Sequence, residues 1–138
     1  MRSEIYVTFR IASFEFDPNE ITAKTGVIPT HIARTGELIA ASAIKPSIKV
    51  KNKDNRWEVK SGLDPSTELE AHLRSLIKRL QPGWSALVEL GAQYGAIFSC
   101  VVWDYNDARA AICFDQSIIK CAAELNADIE VIVYALTE

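Results

Sequence analysis

A strictly alternating run near the start of the chain constrains the fold most strongly. Apolar and more polar side chains alternate through Ile5–Ile11. Because successive side chains of a strand point to opposite faces of its sheet, this run predicts a half-buried strand. Its more polar face carries Tyr6, Thr8 and Arg10, and its other face contributes to a core.

Helix starts are predicted at Asp17, Thr67 and Asp115. Each of these side chains has an oxygen that can accept the free backbone amides of a first helical turn. Leucine and isoleucine recur at helical spacing through Leu69–Leu80, and a further helix follows the break at Pro82 and Gly83. Four helices are therefore expected.

The remaining segments are predicted to be strands and connections. Ser47–Lys51 and Arg56–Lys60 are expected to pair as a β-hairpin around a polar turn. Pro29–Ala43 is expected to be an irregular connection. The other predicted strands are Ala96–Trp103, the short Arg109–Phe114 and Ile129–Leu136, whose nearly continuous apolar run is typical of a central strand.

This order of elements predicts one α+β domain over residues 1–138. A largely antiparallel sheet with helices packed on one face, as in ferredoxin-like sandwiches, fits it best. Two segments also read alike, because the Phe-Asp pairs ending at Asp17 and at Asp115 each precede a short helix and a strand. They suggest an internal duplication, and two unrelated Asp-capped helices are the alternative.

The charge balance argues against a nucleic-acid binder. The chain has 15 basic and 18 acidic residues and a net charge of −3, whereas phosphate recognition needs a basic excess. One local basic stretch, Lys45–Lys60, is explained by lysines on an exposed hairpin face, which also block unwanted strand pairing. Nucleic-acid binding by this stretch is the competing hypothesis.

A cytoplasmic location is predicted from the hydrophobic pattern and the cysteines. No apolar run reaches the roughly 18 residues of a membrane span, and the opening residues lead directly into a strand rather than an apolar signal sequence. Cys100, Cys113 and Cys121 lack C-x-x-C spacing. Reduced thiols in a cytoplasmic protein are therefore expected.

Side chains for common catalytic chemistries are sparse. The chain has no phosphate-binding loop, dinucleotide fingerprint or zinc-protease motif, and only two histidines, His31 and His72. His72 is predicted at an ordinary helix surface position without a catalytic role. The carboxylates are accounted for as helix caps and turn residues. An enzyme is therefore disfavoured, and no cofactor or metal ion is predicted.

The candidate binding residues are Tyr6, Thr8, Arg10, Arg34 and Trp57. Arg10 lies mid-strand among apolar neighbours, so its face can bind an anion or a carboxylate of a partner. The alternative is a cross-strand ion pair, for example with Glu130. Trp57, like the other tryptophans, either contributes to an interface or belongs to the core.

Six stretches form a pattern over most of the chain: Tyr6–Ile11, Asp17–Ile21, Thr25–Thr30, Trp57, Leu69–Leu80 and Leu125–Ile129. In this pattern the chain resembles a family of small bacterial proteins, domain of unknown function 4279. The loop Ala33–Ala43 departs from the family, because no tryptophan stands beside Arg34, and this weakens a functional role for the loop. The resemblance implies the fold and carries no activity.

Three functions follow as hypotheses. The first is a non-enzymatic protein-binding domain of an accessory or immunity type, whose partner is another protein or a second copy of the chain. The second is a small-molecule sensor or small enzyme with a polar pocket near Arg10, Tyr6 and Arg34. The third is nucleic-acid binding by Lys45–Lys60. The scarcity of catalytic side chains favours the first.

Overall fold

The structure is a computed structural model, and it describes residues 2–41 and 45–137. The helices in these ranges are α1 Asn19–Thr25, α2 Leu69–Leu80, α3 Trp84–Tyr94 and α4 Gln116–Glu124. The strands are β1 Arg2–Ala12, β2 His31–Ala33, β3 Leu38–Ala40, β4 Lys49–Lys51, β5 Arg56–Lys60, β6 Ala96–Tyr105 and β7 Ala127–Leu136. None of the described helices is long and apolar enough to cross a membrane.

Five strands form the main sheet in the order β2-β5-β1-β6-β7. β1 is antiparallel to both β5 and β6, and β2 is antiparallel to β5, whereas β6 and β7 are parallel. The chain crosses between the parallel strands through α4, since parallel neighbours need a crossover connection. β3 and β4 form a separate two-stranded sheet. The architecture is therefore α+β with a mostly antiparallel sheet.

The predicted alternation of β1 is confirmed by its burial. Ile5, Val7, Phe9 and Ile11 are buried, while the side chains between them are partly or largely exposed. The buried face packs against the apolar stripe of α2 and, together with the other helices, forms the core around Phe98. The helices cover this face of the main sheet, and we call the opposite face the open face.

The predicted helix starts have different outcomes. Asp115 caps α4, since its carboxylate accepts the Ile118 amide at 3.0 Å. Asp17 accepts the Asn19 amide at 2.9 Å at the start of α1. The predicted side-chain cap at Thr67 is wrong, because that residue belongs to the preceding turn and α2 begins two residues later without a side-chain cap.

The predicted β-hairpin of Ser47–Lys51 and Arg56–Lys60 is also wrong. β4 pairs with β3 in the small sheet, whereas β5 lies between β1 and β2 in the main sheet. Both β2 and β3 form within Pro29–Ala43, which the sequence predicts to be irregular; Ser42 and Ala43 at its end lie outside the described residues. Alternation within a segment indicates a strand, but it does not specify the strand's partner.

Two predictions for the C-terminal part differ from the structure. Arg109–Phe114 is not a strand, because positive φ angles at Asn106, Asp107 and Arg109 turn the chain there. β7 is an edge strand rather than a central one, and Ile132, Val133 and Tyr134 in its apolar run are 37 to 50% exposed. The strand order confirms neither a ferredoxin-like arrangement nor a duplication, since β6 and β7 are neighbours but β5 separates β1 from β2.

Candidate functional site

The register of the main sheet sets the neighbours of Tyr6, Thr8 and Arg10 on the open face. Tyr6 lies beside Val101 of β6. Thr8 lies beside Lys60 on the β5 side, and Arg10 follows one pleat further along the same face. The three candidates of β1 therefore share one surface, with different surroundings at its two ends.

The open face is apolar at the end that carries Tyr6. Tyr6 and Val101 form one cross-strand row with Ile132, and the next row contains Trp103 and Tyr134. The rings of Trp103 and Tyr134 stack with their centroids 4.6 Å apart. Tyr6 and Tyr134 are each 45% exposed, and Ile132 is 37% exposed. We call these five residues the apolar patch.

Arg10 lies at the other, charged end of the open face. Its cross-strand neighbours are Glu58 and Ile97, and it forms no ion pair within residues 2–41 and 45–137. Glu130 stands beside Ser99 on the far side of β6, which explains why the alternative of an Arg10–Glu130 pair is not observed there. The depression beside Arg10 has a volume of about 290 Å³.

Arg34 and Trp57 are not part of the surface around Tyr6. Arg34 forms an ion pair with Asp17 at 3.1 Å beside the start of α1, and its guanidinium holds the pKa of Asp17 below its usual range. Trp57 is fully buried, and its indole N–H donates to the hydroxyl of Thr22 at 3.1 Å. Packing and helix anchoring account for both side chains.

A cavity opens on the open face where β5 ends. Two backbone hydrogen bonds to β1 flank it. On one side the Ser61 amide donates to the Val7 carbonyl at 3.0 Å, and on the other the Ile5 amide donates to the Pro65 carbonyl at 2.8 Å. Between these bonds the chain bows away from β1 through Gly62, whose φ of 73° is a conformation that glycine adopts without strain. The space left has a volume of about 490 Å³.

The cavity connects the open face with the helical layer. Its rim is formed by side chains of the open face, which are Tyr6, Thr8, Lys60, Val101 and Trp103. Its floor is formed by Ser61 and by His72 of α2, both of which are buried. The apolar patch and the cavity therefore share Tyr6, Val101 and Trp103, whereas Ile132 and Tyr134 belong to the patch alone.

The floor of the cavity contains a hydrogen-bonded serine–histidine pair. Ser61 Oγ lies 2.6 Å from Nδ1 of His72. Burial lowers the pKa of His72 against the opposing effect of the Thr67 and Asp64 carbonyls, so the neutral ring is favoured. Because Ser61 Oγ also accepts the Leu63 amide at 3.5 Å, we assign the hydroxyl proton to the bond with Nδ1. Nε2 then carries the ring proton, and in the described part of the chain it has no hydrogen-bond partner.

The position of His72 overturns the prediction of an ordinary helix surface residue. Its side chain is only 1% exposed. It stands three residues after Leu69 and four before Leu76, and both leucines lie on the buried stripe of α2. That spacing is the sequence signal for its burial. No local signal marks Ser61 or Ile132, because their surroundings depend on where β5 ends and on β7 lying beside β6.

The basic stretch Lys45–Lys60 is divided between the two sheets. Lys49 and Lys51 lie on β4 of the small sheet, whereas Arg56 and Lys60 lie on β5 of the main sheet. The single hairpin face on which the nucleic-acid hypothesis depends is therefore absent from the described structure. Among residues 2–41 and 45–137, no group of three His, Cys, Asp or Glu side chains is placed to hold a metal ion.

A comparison with protein families covers almost the whole chain. The sequence model described as "Domain of unknown function (DUF4279)" matches residues 3–136. The chain belongs to this family. The matched range runs from Ser3 in β1 to Leu136 at the end of β7, and it includes every residue that lines the cavity. No curated protein and no solved structure matches the chain.

Proposed function

We propose that the protein is a non-enzymatic binding protein, of an accessory or immunity type, that holds another protein against the open face of its sheet. The apolar patch is the observation that carries this proposal. It presents aromatic and branched side chains on a face that none of the described helices covers. Contiguous exposed apolar surface with polar surroundings is typical of protein interaction sites.

The patch has the composition of an interface centre. Three of its five side chains are aromatic, and Trp and Tyr are enriched among the residues that contribute most to binding. Three charged side chains border it on the open face: Glu4 in the row of Trp103, and Lys60 and Glu130 in the row of Thr8. A partner with an apolar centre and with charges of both signs around it would match this surface.

β7 adds a second feature that suits a protein partner. It is an edge strand of 10 residues, and the outer backbone groups of an edge strand can pair with another strand. Its second half, Val131–Leu136, has no charged side chain to oppose such pairing. A second copy of the chain is the alternative partner, since two β7 strands can pair antiparallel.

We place this binding in the cytoplasm. Cys100, Cys113 and Cys121 are free thiols, as is usual in a reducing compartment. Burial raises the pKa of the Cys100 thiol to about 12, so this thiol stays protonated and unreactive at neutral pH.

The proposal is tested by capture of partners with matched variants. Ile132→Ser and Tyr134→Ser change the patch, and Ile119→Ser is the control, since Ile119 is 51% exposed on α4. We expect wild type and the control to retain the same partner. Calorimetry with the purified partner should show binding weakened about 30-fold by either patch variant, which is about 2 kcal/mol.

Light scattering on the purified chain separates the two classes of partner. A monomer that captures another protein supports the proposal, and a dimer that Ile132→Ser dissociates assigns the patch to self-association. Capture that Ile132→Ser and Ile119→Ser leave equally strong would exclude the open face as the binding surface. A reproducible absence of any partner for a monomeric chain would count against binding as the function.

A further inference from the structure

We propose that the cavity between β1 and residues 61–63 binds a small monoanionic molecule with a flat apolar body. This site is distinct from protein binding by the apolar patch, because its floor lies beneath the sheet surface at Ser61 and His72. Two observations carry the inference: the size and walls of the cavity and the charge at its rim.

The size and the walls of the cavity are those of a small-molecule binding site. Small-molecule sites usually have volumes of roughly 300 to 1,000 Å³ with mostly apolar walls, and this cavity has about 490 Å³. Tyr6, Trp103 and Leu63 supply two aromatic rings and a branched side chain to its walls. A flat apolar body would pack against these surfaces.

The floor of the cavity is a buried polar pair. Ser61 Oγ occupies Nδ1 of His72, and Nε2 of the same ring lacks a partner in the described residues but is closed off from solvent. A ligand therefore reaches neither ring nitrogen in this structure, and its polar end is placed at the rim. Its apolar body lies over the ring of His72.

The rim sets the charge of the ligand. Lys60 is the one side chain with a full charge among the residues that line the cavity, since the His72 ring is favoured in its neutral form. Within residues 2–41 and 45–137 Lys60 has no ion pair. A carboxylate would pair with the rim ammonium, which identifies a monoanion.

Two probes that share a ring and differ in charge test the assignment. Indole-3-acetate carries a carboxylate, and tryptamine carries an ammonium group on the same indole. In NMR titrations of the full chain at millimolar concentrations, we expect indole-3-acetate to shift the His72 ring and Tyr6 amide signals saturably. Tryptamine should give no saturable shift at these positions.

A matched pair of variants ties the binding to the cavity. Thr8→Phe places a ring across the rim, and Arg10→Phe places the same ring two residues along the same strand and face, outside the cavity. We expect Thr8→Phe to abolish the saturable shift and Arg10→Phe to leave it. Lys60→Gln should weaken the probe about two- to fivefold, as loss of an exposed charge partner does.

The proposal is overturned by an absence of saturable shifts with indole-3-acetate, by equal binding of tryptamine, or by unchanged binding in a folded Thr8→Phe variant. Ile132→Ser keeps the two proposals separable, because Ile132 belongs to the apolar patch and not to the cavity. Probe binding that survives Ile132→Ser supports the cavity site whether or not a protein partner is lost.

Discussion

The two faces of β1 come from one alternating sequence and have different physical surroundings. Phe9 on the covered face is fully buried, and its ring centroid lies 5.0 Å from that of Phe98 and 6.5 Å from that of Trp57. Tyr6 on the open face is 45% exposed. Burial in the core therefore accounts for the aromatic side chain at position 9. It accounts for only part of the aromatic side chain at position 6, because nearly half of Tyr6 is exposed.

This difference separates residues that maintain the fold from residues that are free to serve a function. On the covered face, removal of a large side chain leaves a cavity that the surrounding packing cannot close. On the open face, water fills the space, so the loss of stability is smaller. An aromatic cluster on the face with the weaker stability requirement points to a role in binding.

The largest expected effect tests this comparison directly on β1. Phe9→Ala should lower the free energy of unfolding by about 3 to 5 kcal/mol, because it empties a packed core position. Tyr6→Ala should cost less than about 1 kcal/mol, since much of its ring already contacts water. Urea denaturation of both variants measures the difference, and equal losses would show that the open face is packed against something in the folded chain.

The fold is predictable from sequence wherever local patterns determine it. The alternation of Ile5–Ile11 and the leucine spacing of Leu69–Leu80 are confirmed by burial. The partners of the strands are not encoded in this way, because alternation specifies a buried face and not the neighbouring strand. Arg56–Lys60 is a strand as predicted, yet it pairs with β1 and β2 rather than with β4.

The candidate site is predictable to the same extent. Tyr6 and Thr8 follow from alternation alone, and the structure places both at the rim of the cavity. Ser61 and His72 are 11 residues apart in the chain. They meet because Ser61 directly follows β5 and α2 packs His72 against that end of the strand. A local pattern could have indicated that His72 is buried, but it could not have indicated its partner.

The second expected effect concerns the side chain that links the covered layer to the open face. His72→Leu should destabilise the chain at pH 7.5 by about 1 to 3 kcal/mol, because it leaves the Ser61 hydroxyl without its buried partner. Urea denaturation measures the change. Ser61→Ala is the control, since it removes the other partner, and the double variant should cost less than the two single losses added together.

The pH dependence of the same variant gives an independent reading. The pKa of His72 is lowered from its usual 6.5 by burial, so the unfolded chain binds this proton more readily than the folded chain. Stability should therefore fall as the pH drops below 6.5. The fall should be shallower in His72→Leu between pH 6.5 and 5, and identical slopes would show that the ring protonates freely in the folded state.

The third expected effect compares two predicted helix caps of the covered layer. Asp115→Ala should cost about 1 kcal/mol, because the carboxylate caps α4 through the Ile118 amide. Thr67→Ala should stay within about 0.5 kcal/mol, since Thr67 makes no cap to α2. Thermal unfolding measures both changes, and a larger loss in Thr67→Ala would show that Thr67 does cap α2.

The smallest expected effect is on the open face, at Arg10. Arg10→Met should change the free energy of unfolding by no more than about 0.5 kcal/mol, because the described structure gives Arg10 no ion pair to lose. Urea denaturation checks this value. A loss above about 1 kcal/mol would instead reveal a stabilising cross-strand interaction, for which Glu58 is the nearest carboxylate in the register.

Binding by the same variant completes the comparison of the two faces. If Arg10→Met leaves stability unchanged but weakens capture of the partner, the charged end of the open face belongs to the interface together with the apolar patch. If both stay unchanged while Tyr134→Ser weakens capture, the interface is confined to the apolar end. Either result separates the contributions of the open-face residues to binding from their contributions to folding. The covered face does not allow this separation, because substitutions there also destabilise the core.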